Sequence, residues 1–140
     1  MRRLEDGMLA LAVVVAATLA GCGAEGVTDP SAVQDVTWRL SRLERQDHTV
    51  VGVPNPDRYT LVFDEGGSLA VRSDCNQCGG TYAIADGSFT VGSLACTKVF
   101  CGEQSLHAEY SSILAEARSL EMDDRTLIVR SNRGLLRFMR

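Results

Sequence analysis

Four cysteines in two clusters, Cys75/Cys78 and Cys96/Cys101, flank an Asp86-Gly87 dipeptide that lies midway between them. Asp-Gly is a strong signal for a two-residue hairpin turn, because both central residues need positive φ. Apolar residues alternate on either side of it, Tyr82 and Ile84 before, Phe89 and Val91 after. Such a turn sets Ala85 opposite Ser88, which carries Cys78 opposite Ala95 and Cys75 opposite Lys98. Cys78 is then one residue from register with Cys96, and Cys75 three from Cys101, offsets that a bulge or loop can absorb. Among the three connectivities open to four cysteines, the nested pairing of Cys78 with Cys96 and Cys75 with Cys101 fits this register better than the crossed one. Pairing within each cluster fits least, since it closes a very tight loop with little unfolded-state entropy to remove.

The N-terminus bears on the redox state of those thiols. Arg2 and Arg3 precede an apolar run over residues 8–20 that ends in Leu19-Ala20-Gly21-Cys22. A bilayer span takes about 20 apolar residues, so the run is too short to cross but suits the core of a signal peptide. Leu-Ala-Gly-Cys resembles a bacterial lipobox, in which the cysteine becomes the lipidated N-terminus. The expectation is a signal peptide over 1–21, a lipidated Cys22 with a linker over 22–35, and one domain over 36–140, anchored to a membrane rather than spanning it. Gly23 after the lipidated residue points to the outer membrane if the cell has two. An exported chain meets an oxidising compartment, where paired cysteines persist as disulfides. That favours bridges over a tetrahedral zinc site made from the same four thiols, so no metal and no cofactor is expected.

Residues 23–34 are glycine, acidic and small, with Pro30 and no apolar period, and read as a linker. From Val36 the chain alternates: Val36, Trp38 and Leu40 on one face, Thr37 and Arg39 on the other, a half-buried strand. Residues 42–56 read as a loose connection with at most a short edge strand. Tyr59, Leu61 and Phe63, the Asp64-Glu65-Gly66-Gly67 turn, and Leu69 and Val71 form a hairpin. Leu106, Tyr110, Ile113, Leu114 and Ala117 then fall on one stripe of a helix over about 103–119, with Glu103 and Arg118 suited to its two dipole ends. Two last strands, 126–130 and 135–139, complete a meander of seven or eight strands. Such a sheet cannot bury its apolar face while flat, so the expected fold is mainly β with one helix: an open antiparallel barrel or half-barrel closed by the single helix in the C-terminal half.

Several short elements occur in an order and spacing that resemble the META domain of HslJ-type proteins. They are Trp38-x-Leu40, Leu61-Val62-Phe63-Asp64, Cys75-Asn76 with Gly80-x-Tyr82, Thr97-x-x-x-Cys101, and Glu109 followed by Ile113-Leu114. The resemblance runs from about Val36 to the C-terminus. It implies a small bacterial envelope lipoprotein with an open barrel and one helix, similar to secretin-pilot lipoproteins, and a family with no established enzymatic activity. It also implies Trp38, Asn76, Gly80, Tyr82, Thr97 and Glu109 as motif residues and Cys75 with Cys101 as the recurrent pair. Cys78 and Cys96 are an addition of this chain, and Val99-Phe100 stands where the family commonly has Met-Ala.

Chemistry is sparse. The Cys75-Asn-Gln-Cys78 spacing invites a thiol-disulfide oxidoreductase reading, but a strand pattern follows it, so the helix N-terminus that would depress a thiol pKa is missing. His48 and His107 have no catalytic partner at a motif spacing, and no G-x-S-x-G, H-E-x-x-H or P-loop occurs. A net charge of −4 without a Lys/Arg cluster excludes nucleic acid as a partner. The function read from the sequence is a non-catalytic binding or stress-protective module. It would be held to a membrane by its N-terminal lipid and would meet an unidentified envelope protein or an apolar ligand. An oxidoreductase using Cys75 and Cys78 is the alternative.

Overall fold

The computed structural model of the protein describes residue 21 and residues 23–140. The apolar run and Cys22, and with them the signal-peptide and lipidation readings, lie outside the described residues. Ten strands and one α-helix follow in the order β1 (Glu25–Gly26), β2 (Trp38–Arg45), β3 (Val50–Gly52), β4 (Tyr59–Phe63), β5 (Ser68–Ser73), β6 (Asn76–Ala85), β7 (Ser88–Cys96), α1 (His107–Ala115), β8 (Ala117–Asp123), β9 (Thr126–Ser131) and β10 (Gly134–Met139). Eight strands pair antiparallel in the ring β8-β7-β6-β5-β4-β2-β10-β9, and β9 pairs back with β8; β3 adds to β2 and β1 to β8. The expected barrel with one late helix is therefore present. Its thinnest seam is β7–β8, where Ser88 opposite Ser119 is the one registered pair.

Alternation builds the interior. Leu61, Phe63, Leu69 and Val71 point in from β4 and β5, Phe89 from β7, Leu127 and Val129 from β9, and Leu136 and Phe138 from β10. Strand β2 breaks phase after Leu40, and that break explains why residues from Arg42 on read as a loose connection in the sequence. Phe138 faces Leu40 while Arg137 faces Arg42, so Ser41 is an extra, bulged residue, and its hydroxyl donates to the Arg137 carbonyl at 3.0 Å. Beyond the bulge Leu43 is buried again and the strand continues to Arg45. Across from it Gly134 has φ 152°, and a Cβ there would overlap the Glu44 carbonyl oxygen, so only glycine allows β10 to start against β2.

Two further expectations are corrected. The helix is shorter than 103–119: it covers His107–Ala115, Glu103 lies before it, and Arg118 belongs to β8 rather than to a helix end. The stripe of Leu106, Tyr110, Ile113 and Leu114 is buried as expected, but Ala117 starts a strand that pairs with β9 from Ser131 to Thr126. An isolated helix of this length is marginal in water, whereas that ladder satisfies each backbone group it engages, so the strand replaces the last turn. α1 packs on β5, β7, β9 and β10, which lie on opposite sides of the ring, and so it bridges one mouth of the barrel. Its Tyr110 hydroxyl donates to the Thr60 carbonyl at 3.0 Å.

The segment read as a linker is the second correction. Val27 and Val33 are buried, a short 3-10 turn over Pro30–Ala32 is capped by Asp29, and the Trp38 indole N–H donates to the Val33 carbonyl at 3.0 Å. Val27 N–H donates to Leu120 O, Leu120 N–H to Gly87 O, and Gly87 N–H to Val27 O. This triangle knits the N-terminal segment to β8 and to the β6–β7 turn, closing the end of the weak seam. Two valines among polar residues carry no periodicity, which is why the docking was not legible. No helix among the described residues is long and apolar enough to cross a membrane.

Candidate functional site

The β6–β7 hairpin has the anticipated turn: Asp86 and Gly87 take φ of 51° and 78°, and Ala85 pairs with Ser88. The register holds through Thr81 opposite Gly92, then shifts by one residue at a bulge, where Ser93 has φ 44°, and sets Cys78 opposite Cys96. The shift needs Gly80, because a Cβ there would lie 2.8 Å from the Gly92 carbonyl oxygen. Disulfides join Cys78 to Cys96 and Cys75 to Cys101, the nested pairing. The two cysteines of the C-x-x-C spacing thus belong to different bridges, on a turn and a strand, and form no dithiol unit of the thioredoxin kind.

These bridges frame the loop that leads from β7 to α1. Asn76, fully buried, uses its whole side-chain amide on that loop. Its Oδ1 accepts from Val99 N–H at 2.7 Å and from the Thr97 hydroxyl at 2.9 Å, and its Nδ2 donates to Val99 O at 3.0 Å and to Cys101 Sγ at 3.2 Å. Thr97 in turn accepts from Gln77 N–H at 3.0 Å. The backbone around Val99 is therefore fixed on both sides, while the side chains of Val99 and Phe100 are 57% and 81% exposed. Apolar side chains held in water on a rigid loop distinguish this end of the molecule.

A cleft of about 310 Å³ opens beside the tip, lined by Pro54, Arg58, Tyr59, Asp74, Cys101 and Leu106 among others. The Tyr59 hydroxyl donates to Asp74 Oδ2 at 3.1 Å and accepts from Leu106 N–H at 2.9 Å, so it caps the approach to α1. Burial raises the Tyr59 phenol above its ordinary pKa. Asp74, only 4% exposed, has φ 62°, and its N–H donates to Arg58 O. Its Oδ1 lies 2.5 Å from Arg58 Nη2, an ion pair outside hydrogen-bond geometry. Arg58 and Asp74 in the cleft wall thus already pair with each other, and Glu103 is the remaining charged residue of its lining.

The remaining motif residues have scaffold partners. Trp38 holds Val33, the Tyr82 hydroxyl donates to Asp64 O at 2.6 Å and accepts from Gln34 Nε2 at 2.8 Å, and Glu109 takes two bonds from Arg45, at 2.7 and 3.0 Å, tying α1 to β2. The two histidines, which have no catalytic partner at a motif spacing in the sequence, find partners in the fold. His107 Nδ1 in fact lies 2.7 Å from the Ser73 hydroxyl, and His48 Nδ1 lies 3.0 Å from Glu44. Ser73 is fully buried and neither member of the Ser73–His107 pair lines the cleft, so the pair is placed to pack α1 on β5 rather than to attack a ligand. Contacts across 34 residues leave no local signal. Among the described residues no group of three His, Cys, Asp or Glu side chains is placed to hold a metal.

A family model described as META domain matches residues 31–140. No curated protein matches the chain significantly. Among solved structures, an NMR structure of a protein from Burkholderia xenovorans is similar with a TM-score of 0.64 at 23% identity, covering 100% of this chain and 98% of that one. A second NMR structure has a TM-score of 0.61 at 20% identity over 81% and 95%. The crystal structure of a DUF4847 family protein from Bacteroides vulgatus has 0.56 at 17% over 78% and 94%. At such identities these likenesses speak for the fold alone.

Proposed function

The chain belongs to the META domain family, and on that footing we propose that it is a lipid-anchored protein of the cell envelope whose barrel is a non-catalytic binding module, with Val99-Phe100 and the adjoining cleft as the surface that meets its partner. The observation that carries this reading is the tip itself. Two disulfides and Asn76 hold its backbone in one conformation, so a partner that buries Phe100 meets a preformed anchor and little ordering cost, and a buried aromatic anchor is the usual centre of a binding surface. An envelope protein with an apolar pocket, or an apolar ligand bridging tip and cleft, suits that surface, and a stress-protective role is compatible with either. The polar groups of the motif residues are engaged within the scaffold, and the two C-x-x-C sulfurs lie in separate bridges, which favours binding over thiol exchange.

Lipidation at Cys22 supplies the anchor, and Gly23 directs it to the outer membrane of a cell that has two. Cys22→Ala is expected to move the folded domain from the membrane fraction to the soluble one; a variant still firmly membrane-bound would refute the anchor. For the site, a photo-crosslinking phenylalanine analogue at position 100 is expected to give one discrete adduct in the native envelope. The same analogue at exposed Thr90 on the barrel wall serves as control. Equal, diffuse labelling at both positions would remove the tip as the binding surface.

A further inference from the structure

The docking of residues 25–35 has a geometric outcome that rests on the Cys22 anchor of the preceding proposal. With β1 paired to β8 and Val27 and Val33 buried, only Gly23 and Ala24 separate Cys22 from the barrel. Three peptide units reach at most about 10–11 Å, so a lipid on Cys22 holds the protein at one fixed place on its surface and not on a free tether. That place is the end where Gly26 packs closely on Gly87, a Cβ on either falling 3.2 or 3.3 Å from the other's Cα, beside the β8–β9 turn at Asp124-Arg125. The binding tip is at the other end of the same hairpin: β6 runs from Asn76 to Ala85, about 30 Å of extended chain, with Cys78 and Cys96 joined near its start.

We propose that the barrel end formed by β1, the Asp86-Gly87 turn and the Asp124-Arg125 turn rests on the membrane surface, and that Val99-Phe100 is held out from it toward a partner that is not the anchoring bilayer. This end is acidic: Glu25, Asp86, Asp123 and Asp124 are set against Arg125 and Arg140. The lipid brings it to the surface, charge does not, and an anionic surface would push it back. A zwitterionic headgroup layer is the surface it fits.

Tryptophan emission tests this arrangement, because the native Trp38 is fully buried and contributes a constant background. Lipidated Asp123→Trp and Phe100→Trp variants are placed in phosphatidylcholine vesicles with and without brominated acyl chains near the headgroup, which quench on close approach. Matching near-ultraviolet dichroism with the parent protein establishes that both variants are folded. The expected result is loss of emission at position 123 and none at position 100. Quenching at 100, or no quenching at 123 in protein whose Cys22 carries lipid by mass spectrometry, overturns the placement while the anchor stands. An unmodified Cys22 overturns the anchor, and the placement with it.

Discussion

At residue scale, Asn76 shows how a motif position can be indispensable without being a site. Its amide makes four contacts to residues 21 to 25 positions away, and none of its capacity is left for a ligand. Removing it leaves the Val99 N–H and carbonyl without their protein partners, a loss of about 1–3 kcal/mol where such groups stay desolvated. Asn76→Ala should therefore lower the unfolding free energy in denaturant titration by that amount and loosen the tip. Lys98 is the only lysine in the chain, so a lysine-specific protease reads the loosening directly. The parent protein should resist cleavage after Lys98 and the variant should be cut; equal resistance would mean the bridges alone hold the loop. Asn76 and Thr97 were legible as members of a spaced pattern, but their mutual bond was not, because it depends on the loop crossing back over the start of β6.

At the scale of elements, the helix and its successor strand compete for the same residues. The 3.6-residue spacing of Leu106, Tyr110, Ile113 and Leu114 was legible and these side chains are buried. Ala117 continues that spacing by coincidence, since β9 offers its segment a better-satisfied backbone. Ile113→Ala and Leu114→Ala should each cost about 2–5 kcal/mol, as buried large-to-small changes do. Chemical denaturation that gave well under 1 kcal/mol at both would mean that α1 does not seal the barrel mouth. Bulges set the other limit on legibility: a single extra residue at Ser41 inverts the apparent phase of half a strand, and its signal lies in the partner strand rather than in β2.

At the scale of the whole molecule, the two bridges and two buried phenols govern how the barrel comes apart. The disulfides span 26 and 18 residues, and each should contribute about 3 kcal/mol through the unfolded chain. The doubly reduced protein is expected to lose about 6 kcal/mol against the oxidised one in denaturant titrations run with and without reductant, and a loss under about 1 kcal/mol would contradict that account. Alkali should act through Tyr59 and Tyr110, whose pKa values burial raises above the ordinary value in the folded state. Their contribution is fully present below the unfolded value of about 10 and is lost as pH climbs from there toward the folded values. Tyrosinate absorbance from these two rings should appear together with loss of tertiary dichroism; ionisation while the fold persists would show them to be accessible. By itself the sequence determined the alternating strands of the meander, the Asp86-Gly87 turn and the nested bridges, because alternation, turn chemistry and hairpin register are local properties that a chain expresses before it meets itself. Only the tertiary structure decided the docking of residues 25–35 across the weak seam, the strand made from Ala117–Asp123 and the exposure of Phe100. Each of these depends on which backbone edge or apolar surface remains uncovered once the ring has closed, and no single stretch of chain carries that information.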